Sequence, residues 1–205
     1  MRNQKLKGII IKKKSLGEKD YAVTILTPDL GKICATAKGA REIKSKFTGH
    51  LDLLNVCDLE IYASEHYKII TECQIQKNYS KFREDLKKFY FASLISKIAN
   101  KYTSENENSE EIYELVLTTL SSIENFNKEE LIYEAFKIKV SKILGILPNI
   151  QEIENIELTH LKTNIKEIIY YMHSEKYENI SKLKLNKEDL ENLKITTQQI
   201  LEHTF

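Results

Sequence analysis

Cysteine is scarce in this 205-residue chain, and its spacing pairs none of it. Cys34, Cys57 and Cys73 are odd in number, widely separated and without a CxxC pair, which argues against a disulfide framework and a cysteine-rich zinc site. Three unpaired thiols suit a reducing compartment. Long apolar runs are missing too. Near the start the longest, Ile9-Ile10-Ile11, is too short for a signal-peptide core or a membrane span, so a cytoplasmic location is expected. His50, His66, His160, His173 and His203 form no HxH or HExxH spacing, and no metal is expected. Neither a P-loop nor a GxGxxG or GxSxG stretch occurs. With no nucleophile–base pair in view, the chain reads as non-enzymatic and free of cofactors.

What is present is an uneven distribution of charge. The whole chain carries a formal net charge of only +1. From Met1 to His50, however, twelve lysines and arginines face four acids, a net +8 that leaves −7 for the remaining 155 residues. Such asymmetry points to one surface built for a polyanion.

The chain changes rhythm near residue 78. Before it, apolar residues keep period two: Cys57, Leu59, Ile61 and Ala63 alternate with Asp58, Glu60 and Tyr62, and Tyr67–Ile75 does nearly the same. The short Ser64-Glu65-His66 link makes these two runs a hairpin. Lys5–Ser15, Tyr21–Thr27 and Lys32–Lys38 read as three earlier strands, with turns at Ser15–Glu18 and Pro28–Gly31. A longer connection, 39–54, follows the third strand. Five strands with a long link after the third match an OB-type barrel, although an SH3-like barrel has a similar strand count.

After Tyr79 the spacing turns helical. Leu86, Phe89, Tyr90, Leu94, Ile98 and Tyr102 form one stripe, and Ile112, Leu115, Val116 and Leu120 mark a second helix. Asn127 with Glu130 resembles a capping box for a third, which Gly145 and Pro148 end. Two more helices are expected over 158–173 and 187–203, the latter capped by Asn186. The fold class is therefore α+β: an OB-fold nucleic-acid-binding domain over 1–78 and an all-helical domain over 79–205.

Lys12, Lys13 and Lys14 end the first strand, Lys32 opens the third and Lys38 closes it. Arg41, Lys44 and Lys46 follow in the long link, with Phe47 among them. Strand ends and loops of a barrel converge, so these cations are expected to form one patch for phosphates. Phe47 reads either as a ring for stacking an unpaired base or as packing of the link against the barrel. Tyr21 shares the face of Val23 and Ile25 and reads as core. A protein-interaction adaptor and an RNA-binding barrel are the competing readings.

The run Gly8–Asp20, the run Leu26-Thr-Pro-Asp-Leu-Gly-Lys-Ile33 and above all Ala37-Lys-Gly-Ala-Arg-Glu-Ile-Lys-Ser45 resemble the DNA repair protein RecO family. Leu144-Gly-Ile-Leu-Pro148 is similar to that family's Leu-Gly-x-x-Pro helix end. The resemblance implies a recombination mediator that binds single- and double-stranded DNA and anneals strands. It also implies assistance to RecA loading on DNA coated by single-strand-binding protein. Expected partners are a RecR-type protein and the acidic C-terminal tail of single-strand-binding protein, with RecA met indirectly. Lys38, Arg41, Lys44 and Ser45 fall in the family's basic motif. Many members carry four zinc-binding cysteines after the Leu-Gly-x-x-Pro segment. Here Asn149–Glu157 has neither Cys nor His, so a member lacking the zinc element is expected.

Overall fold

Alternating apolar residues become paired strands over the first 77 positions. The structure, a computed structural model, describes residues 2–148 and 163–202. Its strands are β1 (Arg2–Leu16), β2 (Asp20–Thr27), β3 (Gly31–Ala37), β4 (Val56–Ala63) and β5 (Lys68–Lys77). They close into a barrel in the order β1-β2-β3-β5-β4. Long β1 serves two neighbours, running antiparallel to β4 from Arg2 to Ile9 and antiparallel to β2 from Ile9 to Leu16. A parallel contact between Thr36 of β3 and Ile69 of β5 shuts the cylinder. This is OB-fold connectivity, and it decides between the two barrels that strand counting could not separate.

One irregularity sets which side chains point inward. The register of β1 on β2 shifts between Ile10 and Lys12, where Ile11 is the extra residue of a bulge. Ile10 points into the core, so strict alternation would turn Lys12 and Lys14 inward with it. Beyond the bulge the phase is reversed. Lys13 now sits opposite Val23, a core residue, while Lys12 and Lys14 sit opposite Thr24 and Ala22.

The link between β3 and β4 is part of the core. Ala40, Phe47 and Leu51 from it pack with Ile25, Ile33 and Leu59 inside the barrel. Asn55 fastens its end by donating to the carbonyls of Gly49 (2.9 Å) and His50 (3.0 Å). Cys57 is buried and Cys73 packs against the same cluster, as expected of small core residues; Cys34 is exposed.

The helices are α1 (Lys81–Glu84), α2 (Leu86–Tyr102), α3 (Glu110–Asn125), α4 (Glu129–Ile143), α5 (Thr163–Ser174), α6 (Tyr177–Ile180) and α7 (Lys187–Glu202). No helix among the described residues is long and apolar enough to cross a membrane. Asp85 caps α2, its carboxylate accepting from the N–H groups of Lys87 and Lys88. The stripe expected to bury α2 is corrected. Leu86 is 85% exposed, and Phe89 and Tyr90 are also exposed, whereas Phe91, Ala92, Ile95, Ser96 and Ala99 are buried. The buried face is thus the one carrying Phe91, Ile95 and the small residues between them, and α2 packs against β1. The capping box at Asn127 is also corrected: Lys128 occupies the cap of α4, with no side-chain bond. Asn186 does cap α7, accepting from the Asp189 N–H at 2.8 Å.

The chain divides into two compact units, Met1–Val116 and Leu117–Phe205. In the first, α2 remains with the barrel although the strands end at Lys77. The N–H of Lys32 donates to Ser104 O at 3.0 Å. Gly31 has φ +62°, and a Cβ there would lie 2.1 Å from Ser104 O, so only glycine permits this approach. In the second unit α4 packs against α5 and α7. It buries a Glu134–Lys137 ion pair at 2.6 Å, to which Thr197 of α7 adds a hydrogen bond. The expected zinc-element deletion, Asn149–Glu157, lies outside the described residues.

Candidate nucleic-acid interface

Strand register, rather than sequence proximity, sorts the nine candidate residues. On the outward side of β1, β2 and β3, Lys12 aligns with Thr24 and Cys34, and Lys14 aligns with Ala22 and Thr36. Lys38 follows β3 two residues beyond Thr36. Strands lie about 4.8 Å apart and rise about 3.3 Å per residue, which places these three lysines within roughly 16 Å of one another. All three are exposed, and the side chains between them are small. The result is an open basic face. Among the described residues Lys12, Lys14, Lys38 and Lys44 have no ion pair or side-chain hydrogen bond.

A second group gathers at the end of the barrel where β1 turns into β2. The Lys13 ammonium lies 5.0 Å from the centroid of Tyr21, and the Arg41 guanidinium lies 5.9 Å from it. Arg41 is held there by two bonds: its N–H donates to Lys19 O at 2.9 Å, and Nη1 donates to Gly17 O at 2.6 Å. Asp20 completes the corner by accepting from the Gly39 N–H at 2.8 Å. Tyr21 packs partly against the core, as expected, and its ring also carries these two cations. Lys13, turned inward by the bulge, is half-buried and paired with Asp52 at 2.9 Å, so its charge is partly neutralised. Asp52 is shared with Arg83 at 3.3 Å.

Lys32 lies apart from the expected patch, and Phe47 takes the second of its two readings, packing of the link against the barrel. Lys32 stands six positions from Lys38 along β3, about 20 Å away at strand rise. Its ammonium donates to Asn100 O at 2.9 Å, tying β3 to the end of α2. Phe47 is 5% exposed and belongs to the barrel core, with Lys46 5.4 Å above its ring. It fastens the link and offers no free face for a base. Lys44 and Lys46 remain exposed on that link.

The sequence reading missed Lys19, which pairs with Glu42 at 3.4 Å, and two exposed apolar side chains, Leu16 and Ile43. The reversed phase on β1 carried no signal in composition. Among the described residues no group of three or more His, Cys, Asp or Glu could hold a metal ion.

Comparison with known families matches this layout. The Recombination protein O N-terminal family model covers residues 1–79, and its C-terminal counterpart covers 83–153. The chain belongs to the RecO family. Similar relatives include the DNA repair protein RecO of Caldanaerobacter subterraneus subsp. tengcongensis, 32% identical over 149 residues, 72% of this chain and 60% of that protein. The DNA repair protein RecO of Dehalococcoides mccartyi strain 195 is 26% identical over 218 residues, covering 93% of this chain and 86% of the relative. That of Thermoanaerobacter sp. strain X514 is 29% identical over 167 residues, 81% of this chain and 66% of the relative. The chain thus spans under two thirds of two of these three relatives. The RecO barrel seen here is the five-stranded cylinder described above, and the helices of its C-terminal region follow directly.

Proposed function

We propose that this RecO-family chain is a DNA-binding recombination mediator in DNA repair. In this reading it holds strands on the open face of the barrel, anneals complementary strands and assists RecA loading on DNA coated by single-strand-binding protein. The observation that carries the reading is the alignment of Lys12 and Lys14 with the small residues of β2 and β3, and of Lys38 beyond them. Mobile lysine charges over a surface of small side chains suit a phosphate chain, because each neutralised phosphate releases counterions. Arg41, Lys44 and Lys46 extend the positive surface along the link. The relatives' printed name, DNA repair protein RecO, supports the repair context. The proposed partners are DNA, a RecR-type protein and the tail of single-strand-binding protein. Binding and alignment do the work, and the reading assigns no bond-breaking step to any residue.

Fluorescence anisotropy with a labelled single-stranded oligonucleotide tests this. With four to six phosphates engaged, the slope of log K against log salt is expected at about −3 to −4, roughly a hundredfold loss of affinity between 50 and 200 mM salt. A quenching assay with complementary strands reads annealing under the same conditions. Absent or salt-independent binding rejects the interface. Tighter binding of matched RNA than of DNA would favour an RNA-binding role instead.

A further inference from the structure

Ile43 is 99% exposed, on a link whose other apolar residues are buried or half-buried. Single exposed apolar residues are common on protein surfaces and by themselves mean little. What distinguishes this one is that its backbone is fixed. Ala40, three residues before it, and Phe47, four residues after it, are both anchored in the barrel core. Between them a relay of turns holds the chain: Glu42 N–H donates to Gly39 O at 3.1 Å, Ser45 N–H to Glu42 O at 2.9 Å, and Thr48 N–H to Ser45 O at 3.2 Å.

The surroundings of this fixed apolar point are cationic. Arg41 and Lys44 flank it in sequence, both exposed, and the one acid between them, Glu42, is paired with Lys19. Arg41 joins the link to the β1–β2 turn through Gly17 O, and β1 ends just before that turn on a second exposed apolar residue, Leu16. A polyanion drawn to Arg41 and Lys44 therefore meets a stretch of chain that also displays a branched aliphatic side chain. Phosphates and sugars offer it nothing apolar of comparable area. The faces of the bases do.

Resting on the DNA-binding reading above, we infer that Ile43 is a wedge that enters between neighbouring bases of a strand whose phosphates Arg41 and Lys44 hold. Apolar wedges inserted between base steps unstack them and kink the strand. A recombination mediator gains from this because bases separated from their neighbours are open to a new complement.

The test uses the full chain and a single-stranded oligonucleotide with 2-aminopurine between adenines, a base whose fluorescence rises when it is unstacked. The wild-type chain is expected to raise the emission on saturation. Ile43→Ser is expected to abolish the rise and to weaken binding about tenfold, the order set by burying one branched aliphatic side chain, with an unchanged salt slope. Ile43→Leu should retain the rise. Because residue 43 is exposed, its variants should melt with the wild type. Wild-type binding without a rise, or a rise that survives in Ile43→Ser, overturns the wedge and leaves DNA binding intact. A chain that binds no DNA at all overturns the underlying reading and the wedge with it. Ile43-dependent capture by anionic phospholipid vesicles, with no unstacking of DNA, would make the link a membrane contact and overturn the wedge as well.

Discussion

Replacing Lys12, Lys14 and Lys38 together with alanine removes half of the six exposed candidate cations on the barrel, the others being Arg41, Lys44 and Lys46. Each neutralised phosphate contributes about 0.7 to the salt slope for single strands, so six contacts give about −4 and three give about −2. The structure supplies a matched control. Lys13 and Lys32 are half-buried, one paired with Asp52 and the other donating to Asn100 O. Changing both to methionine removes two positive charges from the same first fifty residues and should leave the slope near −4. Anisotropy titrations at four salt concentrations between 50 and 200 mM distinguish the two variants directly. An equal drop in both would mean that overall charge, and not the outward register set by the Ile11 bulge, governs binding. A triple variant that keeps the wild-type slope would remove the open face from the interface.

Three further outcomes follow from packing and ionisation. Phe47→Ala should cost about 3–5 kcal/mol, seen as a lower urea midpoint, because the ring sits in the barrel core; a loss under 1 kcal/mol would place the ring outside that core. Burial pushes the Tyr113 hydroxyl up to about 12, so the unfolded chain releases this proton first and stability falls as pH rises from 10 towards 12. Tyr113→Phe should flatten that alkaline loss by about 1.4 kcal/mol per pH unit in denaturation midpoints. Lys137→Met leaves Glu134 buried without its cation and should cost about 3–5 kcal/mol, while adding Glu134→Gln should recover part of it; calorimetry of the two variants checks the order.

Much of the fold was legible because strands and helices write different periods into the chain. The five strands, the hairpin at Ser64–His66 and the end of α4 at Gly145 all follow from local residue choice. Barrel closure was not local: it depends on Thr36 meeting Ile69, a contact no spacing announces. The lysine run shows the same limit at the site. Lys12, Lys13 and Lys14 are one word in the sequence and two surfaces in space, since a single extra residue reverses which of them face outward. Lys32 looked like its neighbours until a carbonyl 68 positions away captured it. On α2 the spacing of Leu86, Phe89 and Tyr90 is as helical as that of Phe91, Ile95 and Ala99, and only packing decides which face is buried.

The seam at Gly31 also bears on where this polypeptide can be cut. A fragment ending after β5 would lose Ser104 and Asn100, the acceptors for the backbone and side chain of Lys32. It would also lose α2, which packs on β1, where Ile9 pairs with Leu26 and both are wholly buried. Such a piece should aggregate or melt early, whereas one extended to Val116 keeps the helix that shields it. The cylinder is best regarded as a body that borrows its outer wall from sequence lying beyond its last strand.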